Sequence, residues 1–206
     1  LYRHRQTAAQ DIYWFDNRSD AATEAEVSFR VSGKVPELWN AQTGKTEKLS
    51  YQIKDGRTIV PLKFESWEAY FVVFKDKATS NSYTKPAKTV STLATISTPW
   101  KITFPVRGRD VTYNVSTLES WADNTNVDIK YFSGTATYEN TLKVVSVDKS
   151  AKYEIDLGEV KNIAEVIVNG KNMGTLWKRP FKLDISEALH SGKNHLEIKV
   201  TNLWVN

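Results

Sequence analysis

The stretch Ala164-Glu165-Val166-Ile167-Val168-Asn169-Gly170-Lys171-Asn172-Met173-Gly174-Thr175-Leu176-Trp177 decides the fold. Residues 164–168 are apolar and β-branched enough to read as a strand. Asn169-Gly170 follows, the pair favoured in a two-residue hairpin because both residues tolerate positive φ. Residues 173–177 are the returning strand. This is local β grammar, and most of the chain is written in it.

The same punctuation recurs upstream. Leu49, Tyr51 and Ile53 alternate, Asp55-Gly56 gives a second tight turn, and residues 58–64 return. Val27, Phe29 and Val31 share one face of a strand that Gly33 ends. Residues 35–39 form a short strand in which Pro36 marks an edge or a strand start, and residues 40–44 are a loop. Ile12-Tyr13-Trp14-Phe15 opens the region. Residues 69–74 are continuously apolar, as expected of a strand covered on both faces. Residues 1–76 thus predict a small β-sandwich.

Residues 77–92 lose their apolar side chains and read as a surface linker. From residue 93 the alternation resumes at Trp100, Ile102 and Phe104, turns near Gly108 and Arg109, and continues at Val111, Tyr113 and Val115. Further strands are expected in 129–140, 142–147, 153–157 and 196–201. Helical character is limited to one turn at 118–121 and a short helix at 187–190, capped by Asp184 or Ser186 and ended by Gly192. The expected fold is all-β, with two β-sandwich domains, the second (93–206) a jelly roll.

Composition excludes several functions. Without cysteine there is no disulfide and no thiolate chemistry. The net charge of +4 is spread over mixed residues without the basic stripe that nucleic acid requires. No apolar run is long enough for a membrane helix. Neither a phosphate loop nor a Gly-x-Ser-x-Gly elbow occurs. His4, His190 and His195 lack ligand spacing, so no metal site is expected. Asp123, Asn124, Asn126 and Asp128 form an oxygen-rich loop that reads as an Asx-rich turn, with Asp123 and Asp128 as weak calcium candidates. No cofactor is expected. Nor does any pair of acids stand out as the two carboxylates of glycosidic cleavage. What is unusual is the aromatic content: seven Trp, nine Tyr and eight Phe, most of them expected in cores.

A family signal runs through residues 157–202. Leu157-Gly158-Glu159-Val160, Val168-Asn169-Gly170-Lys171, Gly174-Thr175-Leu176-Trp177, Pro180-Phe181, Asp184-Ile185, Leu189, Gly192-Lys193-Asn194 and Asn202 together resemble the galactose-binding-like, sugar-binding jelly roll of glycoside hydrolase family 2. Closer still, Leu176-Trp177-Lys178 with Pro180-Phe181, Tyr131-Phe132-Ser133-Gly134, and the ending Val200-Thr201-Asn202-Leu203-Trp204 resemble the C-terminal region of glycoside hydrolase family 106, the α-L-rhamnosidase-like enzymes. His4-Arg5, residues 11–15, Asn17 and residues 29–39 resemble the same family just after its barrel. Residues 101–118 depart from the pattern. The resemblance implies that the catalytic acids belong to an upstream barrel absent from this chain. The abrupt ends at Leu1 and Asn206 are those expected of a truncated piece.

Three readings follow. The first is a pair of non-catalytic accessory domains whose partner is the missing catalytic domain of an exported bacterial glycoside hydrolase. The second is a carbohydrate-binding module using Trp177, Trp204, Trp121 and Tyr131 as aromatic faces, with Asn169 and Arg179 as polar partners. The third is an adhesion or protein-interaction sandwich.

Overall fold

Alternating side chains let a strand bury one face and wet the other, and two such faces make a core. The computed structural model describes residues 1–203. It divides the chain into two units, Leu1–Ser91 and Thr92–Asn206.

The first unit contains β1 (Tyr2–Gln6), β2 (Asp11–Asp16), β3 (Thr23–Phe29), β4 (Lys34–Trp39), β5 (Thr46–Lys48), β6 (Tyr51–Lys54), β7 (Arg57–Phe64), β8 (Ala69–Lys77) and β9 (Ser82–Tyr83). A five-stranded sheet runs β1-β2-β8-β4-β5 and a four-stranded one β3-β7-β6-β9. Tyr13, Phe15, Tyr70, Val72 and Phe74 of the first meet Phe29, Tyr51, Val60, Leu62 and Phe64 of the second. Tyr13 and Phe29 pack edge to face with centroids 4.7 Å apart, and Phe64 stacks on Tyr70 at 4.5 Å. Each such buried ring contributes roughly 1.5–3 kcal/mol.

Asp55 and Gly56 both have positive φ, 52° and 72°, and connect β6 to β7 as the Asp-Gly turn predicts. The continuous apolar run in β8 is explained by both faces being covered. Val72 faces the core, while Val73, 1% exposed, lies on the other face between Ile12 and Glu37. On that face Phe71 is registered between Trp14 and Trp39, and cross-strand rings shelter one another.

Pro36 corrects the edge expectation. β4 lies between β8 and β5, and the register shifts between Lys34 and Pro36. Such a bulge relieves the proline of an N–H it cannot supply. Of the segment 77–92, Lys77 closes β8, and Ser82 and Tyr83 form β9 against β6.

The second unit contains β10 (Trp100–Val106), β11 (Arg109–Val115), a 3₁₀ turn (Trp121–Asp123), α1 (Val127–Lys130), β12 (Thr135–Val144), β13 (Glu154–Asp156), β14 (Ile163–Val168), β15 (Lys171–Leu176), β16 (Lys182–Asp184) and β17 (Gly192–Thr201). Its six-stranded sheet runs β11-β10-β12-β17-β14-β15, and β13 pairs with β16 in a two-stranded sheet. Phe104, Ala136, Val166, Val168, Leu196 and Ile198 face Ile155, Phe181, Ile185 and Leu189 across one core.

Three local expectations are corrected. Residues 187–190 do not form a helix. Leu189 and Ala188 donate N–H bonds to the Ile185 carbonyl, and Ser186 is tied to the Asp184 carboxylate, so a single turn is all that forms. The helical turn expected at 118–121 starts instead at Trp121, after Ser120, whose hydroxyl accepts the Ala122 N–H. Residues 129–134 are not strand. Asn126 caps α1 there, and β12 runs unbroken from Thr135 to Val144 through both stretches expected as separate strands.

Candidate functional site

Antiparallel pairing of β12, β17, β14 and β15 places the start of β12, the end of β17, the start of β14 and the end of β15 at one end of the six-stranded sheet. The loops at that end carry Tyr131, Leu203, residues 158–162 and residues 177–181. The opposite end carries the Asn169-Gly170 turn and residues 190–192.

Tyr131 and Trp177 come to the first end. They are 66% and 62% exposed, large values for rings of this size; at the same end of the sheet Ile163, which opens β14, and Leu203, just after β17, are exposed too. Trp177 follows directly on Leu176, the last residue of β15, whose side chain is buried. Tyr131 caps the C-terminus of α1. Its loop is fastened by Asn202, whose Oδ1 accepts the Gly134 N–H at 2.9 Å while its Nδ2 donates to the Phe132 carbonyl at 2.8 Å. Gly134 is required here. Its φ is 151°, and a Cβ would stand 3.0 Å from the Phe132 ring. Sequence reading saw Asn202 within a motif but not as the clamp of this loop, because its partners lie far away in the chain.

Arg179 also reaches this end. Its guanidinium donates to Glu159 Oε1 at 3.2 Å, and Lys161 lies 3.4 Å from the same oxygen. Trp204 lies outside the described residues.

Asn169 lies at the other end and is engaged internally. Its φ of 52° fits the turn. Its Nδ2 donates to the Ala188 carbonyl and to Asn194 Oδ1, and its Oδ1 accepts the His195 N–H. Asn194, fully buried, accepts the His190 N–H and donates to the His190 and Gly192 carbonyls. These bonds hold the 186–192 turn onto the hairpin, so every polar atom of the Asn169 side chain has a structural task.

Trp121 is a half-buried wall of the core whose ring packs on Phe132 at 5.7 Å. Its indole N–H donates to the Tyr138 hydroxyl at 2.6 Å, and its ring packs edge to face on Phe104 at 5.1 Å. The crevice it lines with Tyr113, Asn124 and Tyr138 has about 10 Å³, room for about one water and not for a sugar ring. Burial pushes the Tyr138 phenol up to about 12, against the opposing pull of the indole N–H on its oxygen.

The oxygen-rich loop caps itself. Asn124 Oδ1 accepts the Asn126 N–H, Asn126 Oδ1 accepts the Asp128 N–H, and the Asp128 carboxylate pairs with Arg109 at 3.2 Å. Asp123 belongs to the adjoining 3₁₀ turn. Among the described residues no three His, Asp or Glu side chains gather as metal ligands.

The larger hollow is an open depression of about 420 Å³ lined by Thr98, Lys101, Glu139, Asn140 and His195. The Glu139 carboxylate receives the Lys101 ammonium at 2.7 Å and stands opposite Glu197 in the register. Glycosidic cleavage needs one acid kept protonated in a dry pocket, whereas this hollow is open and its carboxylate is paired with a lysine. Asp11 is the buried carboxylate among the described residues, and it is matched by Lys34 at 3.2 Å and His4 at 3.3 Å in a structural cluster.

The class these features define is an all-β pair of sandwich units, the second a jelly roll with solvent-facing rings at one loop end. Comparison with known proteins narrows it. Residues 1–53 match the family model described as alpha-L-rhamnosidase, and residues 115–206 match that of the glycosyl hydrolase 2 galactose-binding domain-like fold. A rhamnosidase structure from Novosphingobium sp. PP1Y superposes with a TM-score of 0.89 at 38% identity, over 98% of this chain and 19% of that one. A protein of Formosa agariphila named "Putative beta-glucuronidase" is 49% identical over 112 residues, 52% of this chain and 10% of its own length. The chain therefore spans a small part of these relatives. Its first part is thus similar to the α-L-rhamnosidase family and its second to the galactose-binding-like domain of glycosyl hydrolase 2. Among the described residues no helix is long and apolar enough to cross a membrane.

Proposed function

We infer that this chain serves as non-catalytic accessory domains of an exported, α-L-rhamnosidase-like glycoside hydrolase, and that its jelly roll contacts carbohydrate. The observation that carries the reading is the loop end of the second unit, where Trp177 and Tyr131 stand 62% and 66% exposed, the Tyr131 loop fastened by Asn202. Aromatic faces meet the C–H faces of sugar rings, and a few fixed polar groups set orientation. Arg179, held against Glu159, is such a group. The remaining nominated residues contribute differently: Asn169 and Trp121 support the fold. The rest of the reading draws on the resemblance to a much longer rhamnosidase.

The test has two arms on the 206-residue chain. Calorimetry with rhamnose-containing oligosaccharides is expected to give heat that a Trp177→Ala variant loses. Incubation with an aryl α-L-rhamnoside is expected to release no phenol. Turnover by this chain would overturn the non-catalytic role, and silence in calorimetry would overturn carbohydrate contact.

A further inference from the structure

Strand pairing fixes the company that Trp177 keeps. Leu176 pairs with Ala164, and both are buried. Trp177 and Ile163, the next positions outward, therefore close that ladder beside each other, and both are exposed. Ile163 pairs in turn with Thr201 of β17, and Thr201 with Thr135 of β12. Residues directly opposite in neighbouring strands share a face. Their chain neighbours Ala164 and Ala136 are fully buried, so this row lies on the face turned away from the core.

The row is unlike the one next to it. Two residues further in, the same face carries Thr175, Glu165, Lys199 and Thr137, all polar. At the loop end a ring and an aliphatic side chain are followed by two hydroxyls. The Thr135 and Thr201 hydroxyls lie 2.7 Å apart. That bond takes one proton and one lone pair, and leaves the pair a second proton and further lone pairs to offer. Asn202, the residue after Thr201, clamps the loop that carries Tyr131. From β15 to β12 there are three strand steps of about 4.8 Å, roughly 14 Å in all.

We propose that this row is a binding strip for an extended oligosaccharide lying across β15, β14, β17 and β12. Trp177 stacks on one sugar ring, Ile163 meets the C–H surface of the chain, and the Thr201–Thr135 pair exchanges hydrogen bonds with its hydroxyls. The assignment rests on the carbohydrate reading above and adds three contact residues and the length of the ligand. A sugar chain presents C–H faces and hydroxyls together, and the row presents a complement to each. A purely apolar partner would bury the hydroxyl pair without satisfying it. Trp177 and Thr201 stand two strand steps apart, roughly 10 Å, so one sugar ring engages the indole or the hydroxyls and not both.

The experiment is calorimetry on the 206-residue chain with a rhamnose trisaccharide and with methyl α-L-rhamnoside. The trisaccharide is expected to bind at least about tenfold tighter. T135V/T201V keeps the branched shape and removes both hydroxyls. It should weaken the trisaccharide about fivefold and leave the monosaccharide, held on Trp177, unchanged. T135S/T201S should keep the trisaccharide affinity, and Trp177→Ala should weaken both ligands. Equal binding of the two ligands by the unaltered chain overturns the extended strip and leaves carbohydrate contact standing. Full trisaccharide affinity in T135V/T201V overturns this placement of the chain. Equal losses in the serine and valine variants would make the threonines structural and overturn their role. Failure of both ligands to bind overturns the carbohydrate reading together with the strip.

Discussion

The two ends of the second unit's sheet are built from the same strands and put to opposite uses. At the Asn169 end, polar side chains turn inward. Asn194 is fully buried and bonds to His190, Gly192 and Asn169, and Asn169 bonds to Ala188 and His195. At the Trp177 end, large rings turn outward. Buried polar groups must find partners, and once they have, nothing is left over to offer a ligand. Exposed rings carry the reverse signature, apolar surface that folding leaves uncovered.

The sharpest way to break this contrast is to remove Asn194. Asn194→Ala strands the His190 N–H and carbonyl, the Gly192 carbonyl and the Asn169 amide, and should cost about 3 kcal/mol or more in urea unfolding of the second unit. An effect below about 1 kcal/mol would mean that the Asn169 end is not locked by this network. Asn169→Ala should cost less, about 1–2 kcal/mol, through lost bonds and a strained positive φ, with carbohydrate affinity unaltered. Loss of affinity without loss of stability would transfer the binding role to that end. Trp177→Ala should do the opposite. Stability should stay within about 0.5 kcal/mol, while affinity for the oligosaccharide falls about tenfold.

Alkaline pH gives a smaller test that touches the core between the ends. The Tyr138 phenol is raised from 10.0 to about 12 by burial. The folded unit thus holds its proton where the unfolded chain has released it. Its contribution is complete below pH 10 and is lost as pH climbs from 10 through about 12. A spectrophotometric tyrosinate titration of the second unit's unfolding should show this slope, and Tyr138→Phe should flatten it while losing about 1 kcal/mol with the Trp121 bond. A Tyr138→Phe variant with an unchanged slope would place the alkaline sensitivity elsewhere.

Much of the fold was legible because it is written in local rules. Alternation gave β3, β6, β10, β11 and β17, the Ile12-Tyr13-Trp14-Phe15 run gave β2, the return from Asp55-Gly56 gave β7, and Asp55-Gly56 and Asn169-Gly170 turn where positive φ predicts. The misses are also local. Residues 187–190 have a helix's cap and composition, yet the Asn194 and Ser186 bonds hold them as one turn. Pro36 reads as an edge signal, and a bulge lets it stand between two strands. β1, entirely exposed, has no buried face to alternate and left no signal.

The candidate site was legible only in part. Trp177, Tyr131 and Arg179 could be nominated by type, and so could Trp121 and Asn169, which the structure puts to different use. Composition and motif cannot tell an asparagine that offers hydrogen bonds from one that has already spent them, since Asn169 acquires its partners from residues 188–195. The sequence by itself therefore determined the β-sandwich class, the hairpin turns and the kinship with glycoside hydrolases, because those depend on neighbours in the chain. Only the tertiary structure decided which aromatics face solvent and which end of the sheet is closed. Burial and pairing are properties of residues brought together from distant positions, and no local pattern encodes them.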